Sequence, residues 1–333
     1  MKKVEVVAPA GSLTSLKAAL ESGADVIYTG FKGATSGRNY EGLNFSYDEM
    51  GEGINLAHKV GKKVYIAINT FPQFDDHTLL YNTIDDANEL GVDAVILANL
   101  GILKYARDKY PDLIIHLSTQ ASASNYESIN FYKKHFDIKR VVLPRVLTVD
   151  EMKTLREKID VEIEVFALGG LCINTEGRCY LSSFVTGAST NTEGACSPSR
   201  FVRFEEADKG NMRIVLKDRV LNEYAPSENA AYPTCCKGRY MVDGEKTYAF
   251  EDPESLNILD ILPQVIEAGV EALKIEGRQR TKVYVSTVTR ALRNAVDLYY
   301  NDPGGYDSKV AVCADVSSAF EGTSSTVGCY LEK

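Results

Sequence analysis

Gly91-Val92-Asp93-Ala94-Val95-Ile96-Leu97 places a glycine stop immediately before a short β-rich run. The same ending recurs as Gly23-Ala-Asp-Val and Gly269-Val-Glu-Ala, and the first two copies lie 68 residues apart, as two βα units would. Such endings favour parallel strands joined by crossover helices over strands joined by hairpins.

Working outward from these junctions, strands are predicted at 4–8, 25–28, 63–68, 94–97, 113–117, 140–143, 162–166 and 272–275, with amphipathic segments between them. Eight strands with intervening helices predict an α/β fold, a (β/α)8 TIM-like barrel. The first helix has its own punctuation: Ser12 as cap, Leu13, Leu16 and Leu20 as buried stripe, Gly23 as stop. Two interruptions leave the C-terminal ends of strands, the face on which barrel enzymes build their sites. One is the polar loop 32–44 after strand two; the other is a long cysteine-rich insert after strand seven. The expected organisation is therefore 1–170 for barrel strands one to seven, 171–252 for the insert, 253–303 for barrel closure and 304–333 for a C-terminal tail. Helices are expected over 256–268 and 282–300.

Alternate residues of a barrel strand face the helices or the interior, and the helix-facing set is apolar. Taking Val64, Ile66 and Ile68 as outward leaves Tyr65 and Asn69 inside. Ile115 and Leu117 outward leave His116, Ser118 and, by extension, Gln120 inside. The same parity turns Glu162 and Glu164 inward in strand seven, and Lys274 and Glu276 inward in strand eight, with Arg278 beyond the rim. Glu164 and Lys274 read equally well as a pair that neutralises itself in the barrel. Asn69, Gln120, Arg145, Glu276 and Arg278 belong to the mouth. Arg145 and Arg278 are candidate substrate-binding residues because a guanidinium matches a carboxylate bidentately, although a rim salt bridge competes with that role. Glu276 is the candidate catalytic residue, able to orient an arginine or move a proton.

A chain of 333 residues with 44% hydrophobic and 25% charged residues has the composition of a soluble globular protein, and its apolar runs are too short to cross a bilayer. A cytoplasmic location is expected. A net charge of -9 disfavours broad attachment to phosphate backbones, while a local basic patch could still bind RNA.

Five of the seven cysteines fall between 168 and 240: Cys172-Ile-Asn-Thr-Glu-Gly-Arg-Cys179, Gly-Ala-Cys196-Ser-Pro and Cys235-Cys236-Lys-Gly-Arg. No secretory signal precedes them, so a metal site is a better reading than a disulfide framework. Four thiolates drawn from separate loops suit a cubane iron–sulfur cluster, and spacing alone leaves a four-cysteine zinc site open. The blander reading is ordinary buried cysteines, but Gly177, Gly194, Gly238, Ser197 and Pro198 set these thiols in turns rather than apolar runs. Cys313 and Cys329 lack that context and read as structural or free thiols.

The segments Gly-Leu-Cys172-Ile-x4-Gly-Arg-Cys179-Tyr-Leu-Ser-Ser, Gly-Ala-Cys196-Ser-Pro-x-Arg200 and Cys236-Lys-Gly-Arg-Tyr resemble the signature of the collagenase-like peptidase family U thirty-two. Ala-Pro-Ala-Gly-Ser near the start, 67–71, 141–146 and 274–280 extend the resemblance over nearly the whole chain. Within that family the chain is most similar to the subunits of the oxygen-independent ubiquinone-biosynthesis hydroxylase. The resemblance implies a 4Fe-4S cluster on Cys172, Cys179, Cys196 and Cys236, the last chosen over Cys235 by the Cys-Lys-Gly-Arg pattern. It further implies a homologous cluster-bearing partner subunit in a heterodimer, a polyprenylated quinone precursor as substrate and prephenate as oxygen donor; from the net charge, no stable nucleic-acid binding is expected.

A related RNA-base hydroxylase would need a basic surface with aromatics, and the insert offers scattered Lys and Arg. A peptidase would need catalytic groups that no His-Glu-x-x-His or Gly-x-Ser-x-Gly motif supplies in this sequence. A non-catalytic scaffold stabilised by its cluster is the alternative from outside enzymology.

Overall fold

Residues 3–72, 74, 76–174, 179–228, 230–311, 316–322 and 324–332 are described by the computed structural model. The βα alternation is realised as β1 (Glu5–Pro9), α1 (Leu13–Glu21), β2 (Val26–Thr29), α2 (Tyr47–Lys59), β3 (Lys63–Ile68), α3 (Thr78–Glu89), β4 (Ala94–Leu97) and α4 (Leu100–Lys109). It continues through β5 (Ile115–Leu117), α5 (Tyr126–Phe136), β6 (Arg140–Val142), α6 (Val149–Arg156) and β7 (Glu162–Gly170). The insert carries α7 (Leu181–Thr186), α8 (Thr190–Glu193), an antiparallel sheet of β8 (Val202–Glu206), β9 (Met212–Leu216) and β10 (Arg219–Tyr224), and the hairpin β11 (Arg239–Val242) with β12 (Glu245–Tyr248). The chain returns through β13 (Glu254–Asn257), α9 (Leu262–Glu267), β14 (Ala272–Ile275) and α10 (Lys282–Asn301), and ends with α11 (Ser308–Ala311) and β15 (Ser324–Thr326). β14 pairs in parallel with both β1 and β7, so β1–β7 and β14 close into an eight-stranded parallel barrel.

Local chemistry fixes where the helices begin. The Ser12 side chain accepts from the Ser15 N–H ahead of α1, and full capping boxes, Ser46 with Glu49 and Thr148 with Glu151, start α2 and α6. In α10 the buried residues Val285, Val288, Leu292 and Val296 repeat at helical spacing, and the helix packs on α1 and β1. Burying each such side chain contributes about 1.5–3 kcal/mol before chain entropy is counted.

The parity rule holds at the centre of the barrel. Ile66, Ile115, Ile163, Val165, Leu273 and Ile275 are fully shielded on the helix side. Inside, Glu164 takes Lys274 Nζ at 2.6 Å and Arg140 Nη1 at 3.1 Å, and Arg140 also reaches Glu5 and Glu162. Glu164 and Lys274 therefore neutralise one another, with Arg140 as a third member that the alternation alone did not single out.

The expected helix over 256–268 needs correction at its start. Leu256 lies in β13, which pairs antiparallel with Leu168–Gly170 of the extended β7, and helical turns begin only at Leu259. The physical reason is β7, which runs past the barrel rim and offers an edge that a short returning segment can pair with. The tail is held in the same region: β15 pairs with β13, and the Tyr330 hydroxyl donates to the Phe166 carbonyl at 2.7 Å. No helix among the described residues is long and apolar enough to cross a membrane.

Candidate functional site: a thiol-lined pocket at the barrel mouth

Loop 32–44 folds over the barrel mouth and meets the insert. Asn69, just past β3, accepts from the Gly37 N–H at 2.8 Å and donates to Ser118 Oγ at 2.9 Å, tying loop, β3 and β5 together. On the far side Asn39 N–H donates to the Gly194 carbonyl at 3.0 Å. Gly194 has φ +81°, and a Cβ there would lie 2.1 Å from the Ser36 carbonyl oxygen, so this approach of insert to loop requires glycine. Cys196 follows two residues later.

Glu276 is the polar centre of the mouth. Its Oε1 accepts from Arg38 Nε and from Gln279 Nε2, each at 3.1 Å, and its Oε2 accepts from the Gly170 N–H at 3.1 Å. Burial pushes this carboxyl up, but Arg38, Arg145, the Gly170 amide and Gln279 outweigh it and hold its pKa at about 2. It is a carboxylate at neutral pH. Arg145 Nη1 donates to the Gly170 carbonyl, and its guanidinium stacks 4.0 Å from the Phe166 ring centroid. Arg278 is 2% exposed; its Nη2 donates to Ser36 Oγ at 2.7 Å, while Nε and Nη1 have no hydrogen-bond partner among the described residues. Burial lowers its pKa to about 10, which still leaves it cationic at neutral pH.

Cys172, Cys179, Cys196 and Cys236 all line one cavity of about 190 Å³, together with Gln120, Arg145, Glu276 and Arg278. Asn69 does not line it and instead braces the loop above. Cys235 points elsewhere, buried against Leu216 and Leu221. Polar groups stand at hydrogen-bond distance from these thiols: the Tyr40 hydroxyl beside Cys196 (3.6 Å), Asn174 Nδ2 donating to Cys179 (3.6 Å) and Thr234 Oγ1 beside Cys236 (3.2 Å). Burial raises the Cys196 thiol, and it pushes Cys236 up to about 12. Among the described residues, Arg38, Arg145, Lys237, Arg278 and Arg280 line the cavity against the carboxylates Glu276 and Glu321, while Lys274, which also reaches it, is neutralised by Glu164. That excess suits thiolates and an anionic ligand together.

Among the described residues, no three His, Cys, Asp or Glu side chains gather as ligands of one metal ion. In a cubane each thiolate binds a different iron, so four thiols spaced around a cavity match its donor set. Gly177 and Arg178 of the cysteine motif and Cys313 lie outside the described residues. Arg38, Tyr40, Lys237 and Glu321 are site residues that strand parity does not reach, because they come from the loop, the insert and the tail. The signal available for Arg38 and Tyr40 was the position of their polar loop at a strand's C-terminal end.

Fold and site define a TIM-like α/β barrel whose C-terminal mouth is closed by a cysteine-bearing insert. The sequence matches Peptidase family U32 over residues 11–327, and the chain belongs to that family. It is 32% identical over 332 residues to tRNA hydroxylation protein P1 of Bacillus subtilis, covering 97% of this chain and 72% of that protein. It is 31% identical over 326 residues to a protein of Porphyromonas gingivalis named collagenase, covering 92% and 68% respectively. The solved structure of a U32 peptidase superposes with a TM-score of 0.50 over 83% of this chain and 93% of that one, at 13% identity, a likeness of fold.

Proposed function

We propose that the chain is a subunit of an oxygen-independent hydroxylase, holding a 4Fe-4S cluster on Cys172, Cys179, Cys196 and Cys236 and acting on an aromatic ring. The observation that carries this reading is the convergence of those four thiols on one cation-rich cavity beside Glu276. When bound, the cluster would supply one-electron chemistry that no side chain offers. The side chains do the rest. Arg278 lines the cavity and carries two buried guanidinium nitrogens, Nε and Nη1, that lack partners among the described residues, and Arg145, bonded to the Gly170 carbonyl and braced on Phe166, lines the same cavity. Together they would hold an anionic cosubstrate such as prephenate, the proposed oxygen donor. Glu276 fixes Arg38 and the loop that roofs the pocket. Gln120 offers an amide at the opposite wall.

The cysteine and Lys-Ile-Glu-Gly-Arg-Gln-Arg segments favour a UbiU-like subunit, which would hydroxylate a polyprenylated ubiquinone precursor together with a homologous UbiV-like partner. The net charge of -9 disfavours broad attachment to a phosphate backbone, although a local basic patch could still bind RNA. A second reading, hydroxylation of an RNA base, is favoured by the name of the Bacillus subtilis relative. One experiment separates them. Anaerobically purified protein, with and without its homologous partner, is supplied with prephenate and either a demethoxy-quinone precursor or a tRNA transcript, and products are weighed by mass spectrometry. Oxygen gained by the quinone precursor supports the first reading. Oxygen gained by the tRNA alone replaces it with the second.

A further inference from the structure

Resting on the cluster reading, we propose that Glu321, in the tail, is a positioning residue that clamps the turn carrying Cys236 and sets that thiol in the cavity. Its two carboxylate oxygens grip the turn on either side of Cys236. Oε1 accepts from the Tyr232 N–H at 2.6 Å, and Oε2 accepts from Lys237 Nζ at 2.8 Å. Lys237 is 3% exposed, so its ammonium is out of water and depends on a paired carboxylate.

The clamp is itself tied to the barrel. The Glu321 N–H donates to Ser255 Oγ at 2.8 Å, and Ser255 in β13 stands in register with Gly170 at the end of β7. A Cβ on Gly170 would lie 3.1 Å from Glu276 Oε2 and 4.0 Å from Glu321 Oε2, which places both carboxylates beside this glycine at the rim, with Glu276 the tighter neighbour. The insert holds the same turn from its own side, through Asn222 Nδ2 on the Lys237 carbonyl at 2.9 Å and the Tyr240 hydroxyl on the Cys235 carbonyl at 2.7 Å. Glu321 supplies a link from that turn to the barrel that carries Glu276, beside the Tyr40–Tyr232 ring contact with the loop after β2. The tail thereby acts as a strap, and the fourth thiol reaches the cavity because a residue far along the chain pulls its turn inward.

The test uses the full chain and reads the thiols and the metal, not turnover. Glu321→Gln keeps an acceptor for Tyr232 but not the partner for the ammonium; Lys237→Met removes the ammonium. Arg156→Ala breaks the Arg156–Glu271 pair in a different part of the fold and serves as a control for general weakening. Iron release to a chelator should be about 10–100-fold faster in the first two variants, the scale of losing a group that orients a metal ligand from outside, and unchanged in the control. In metal-free protein, alkylation of Cys236 relative to Cys196 should rise in the same two variants. Equal release in all three variants, or alkylation ratios like the parent's, overturns the clamp. Parent protein that takes up no cluster overturns the cluster reading instead, and the alkylation ratio still decides the clamp.

Discussion

Glu276 Oε1 accepts a hydrogen bond from Arg38 Nε at 3.1 Å across 238 residues of sequence. The pair joins the end of β14 to the loop after β2, so the roof of the pocket is pinned to its floor by a charged contact. Because Arg38 is partly exposed and Glu276 is not, the carboxylate depends on the arginine more than the reverse. Arg38→Ala is expected to leave the fold intact and to lower kcat/KM about 10-fold or more through loss of substrate positioning, checked by steady-state kinetics alongside the cluster spectrum.

The folded-state pKa of Glu276, about 2, lies below its ordinary value of 4.5. A depressed carboxyl contributes stability that is present above the ordinary value and is lost as pH falls from about 4.5 through 2. Glu276→Gln should therefore flatten the acid limb of the stability curve in that window, measured by urea unfolding across pH. An unchanged acid limb would show that the site's cations do not stabilise the carboxylate.

Glu164, Lys274 and Arg140 form a buried triad. Glu164→Leu strands the Lys274 ammonium in the barrel and should cost about 3–5 kcal/mol, whereas Glu164→Leu with Lys274→Met should recover much of that loss. Denaturant midpoints of the two variants check it. Similar losses in both would point to packing rather than charge.

Cys235 and Cys236 are adjacent but serve different surroundings, one among Leu216 and Leu221, the other on the cavity wall. Cys236→Ala should abolish cluster binding, and Cys235→Ala should retain it with a small loss of stability. Iron and sulfide assays on both variants decide, and the reverse result would move the fourth ligand by one residue.

Arg278→Ala removes two guanidinium nitrogens, Nε and Nη1, that have no partner among the described residues. It should keep the cluster's spectrum and raise the KM for an anionic cosubstrate about 10-fold or more. An unchanged KM would take Arg278 out of the site.

The barrel was legible because its signals are local. Strands β3, β4 and β14 match their expected bounds to the residue, since each is a short run with glycine punctuation before it or a polar stop after it. Leu256 misled because four residues of β13 carry no periodicity that separates a rim strand from the first turn of a helix, and its partner is the unexpected extension Leu168–Gly170 of β7. Parity found Glu164, Lys274 and Glu276 because a polar residue at an inward position is conspicuous in an apolar strand. Arg38 was legible only as part of a polar loop at a strand's C-terminal end, and the pairing of Lys237 with Glu321 was not legible. Their partners lie 238, 84 and 84 residues away, in loops where polar residues are the rule and one arginine or glutamate resembles any other.

The most direct test of the account is the metal content of anaerobically purified protein, by iron, acid-labile sulfide and zinc analysis with electron paramagnetic resonance of the reduced sample. The account predicts about four irons and four sulfides per chain, lost when Cys172, Cys179, Cys196 or Cys236 is replaced by alanine. Stoichiometric zinc without iron, or four alanine variants with the parent's iron content, would contradict it.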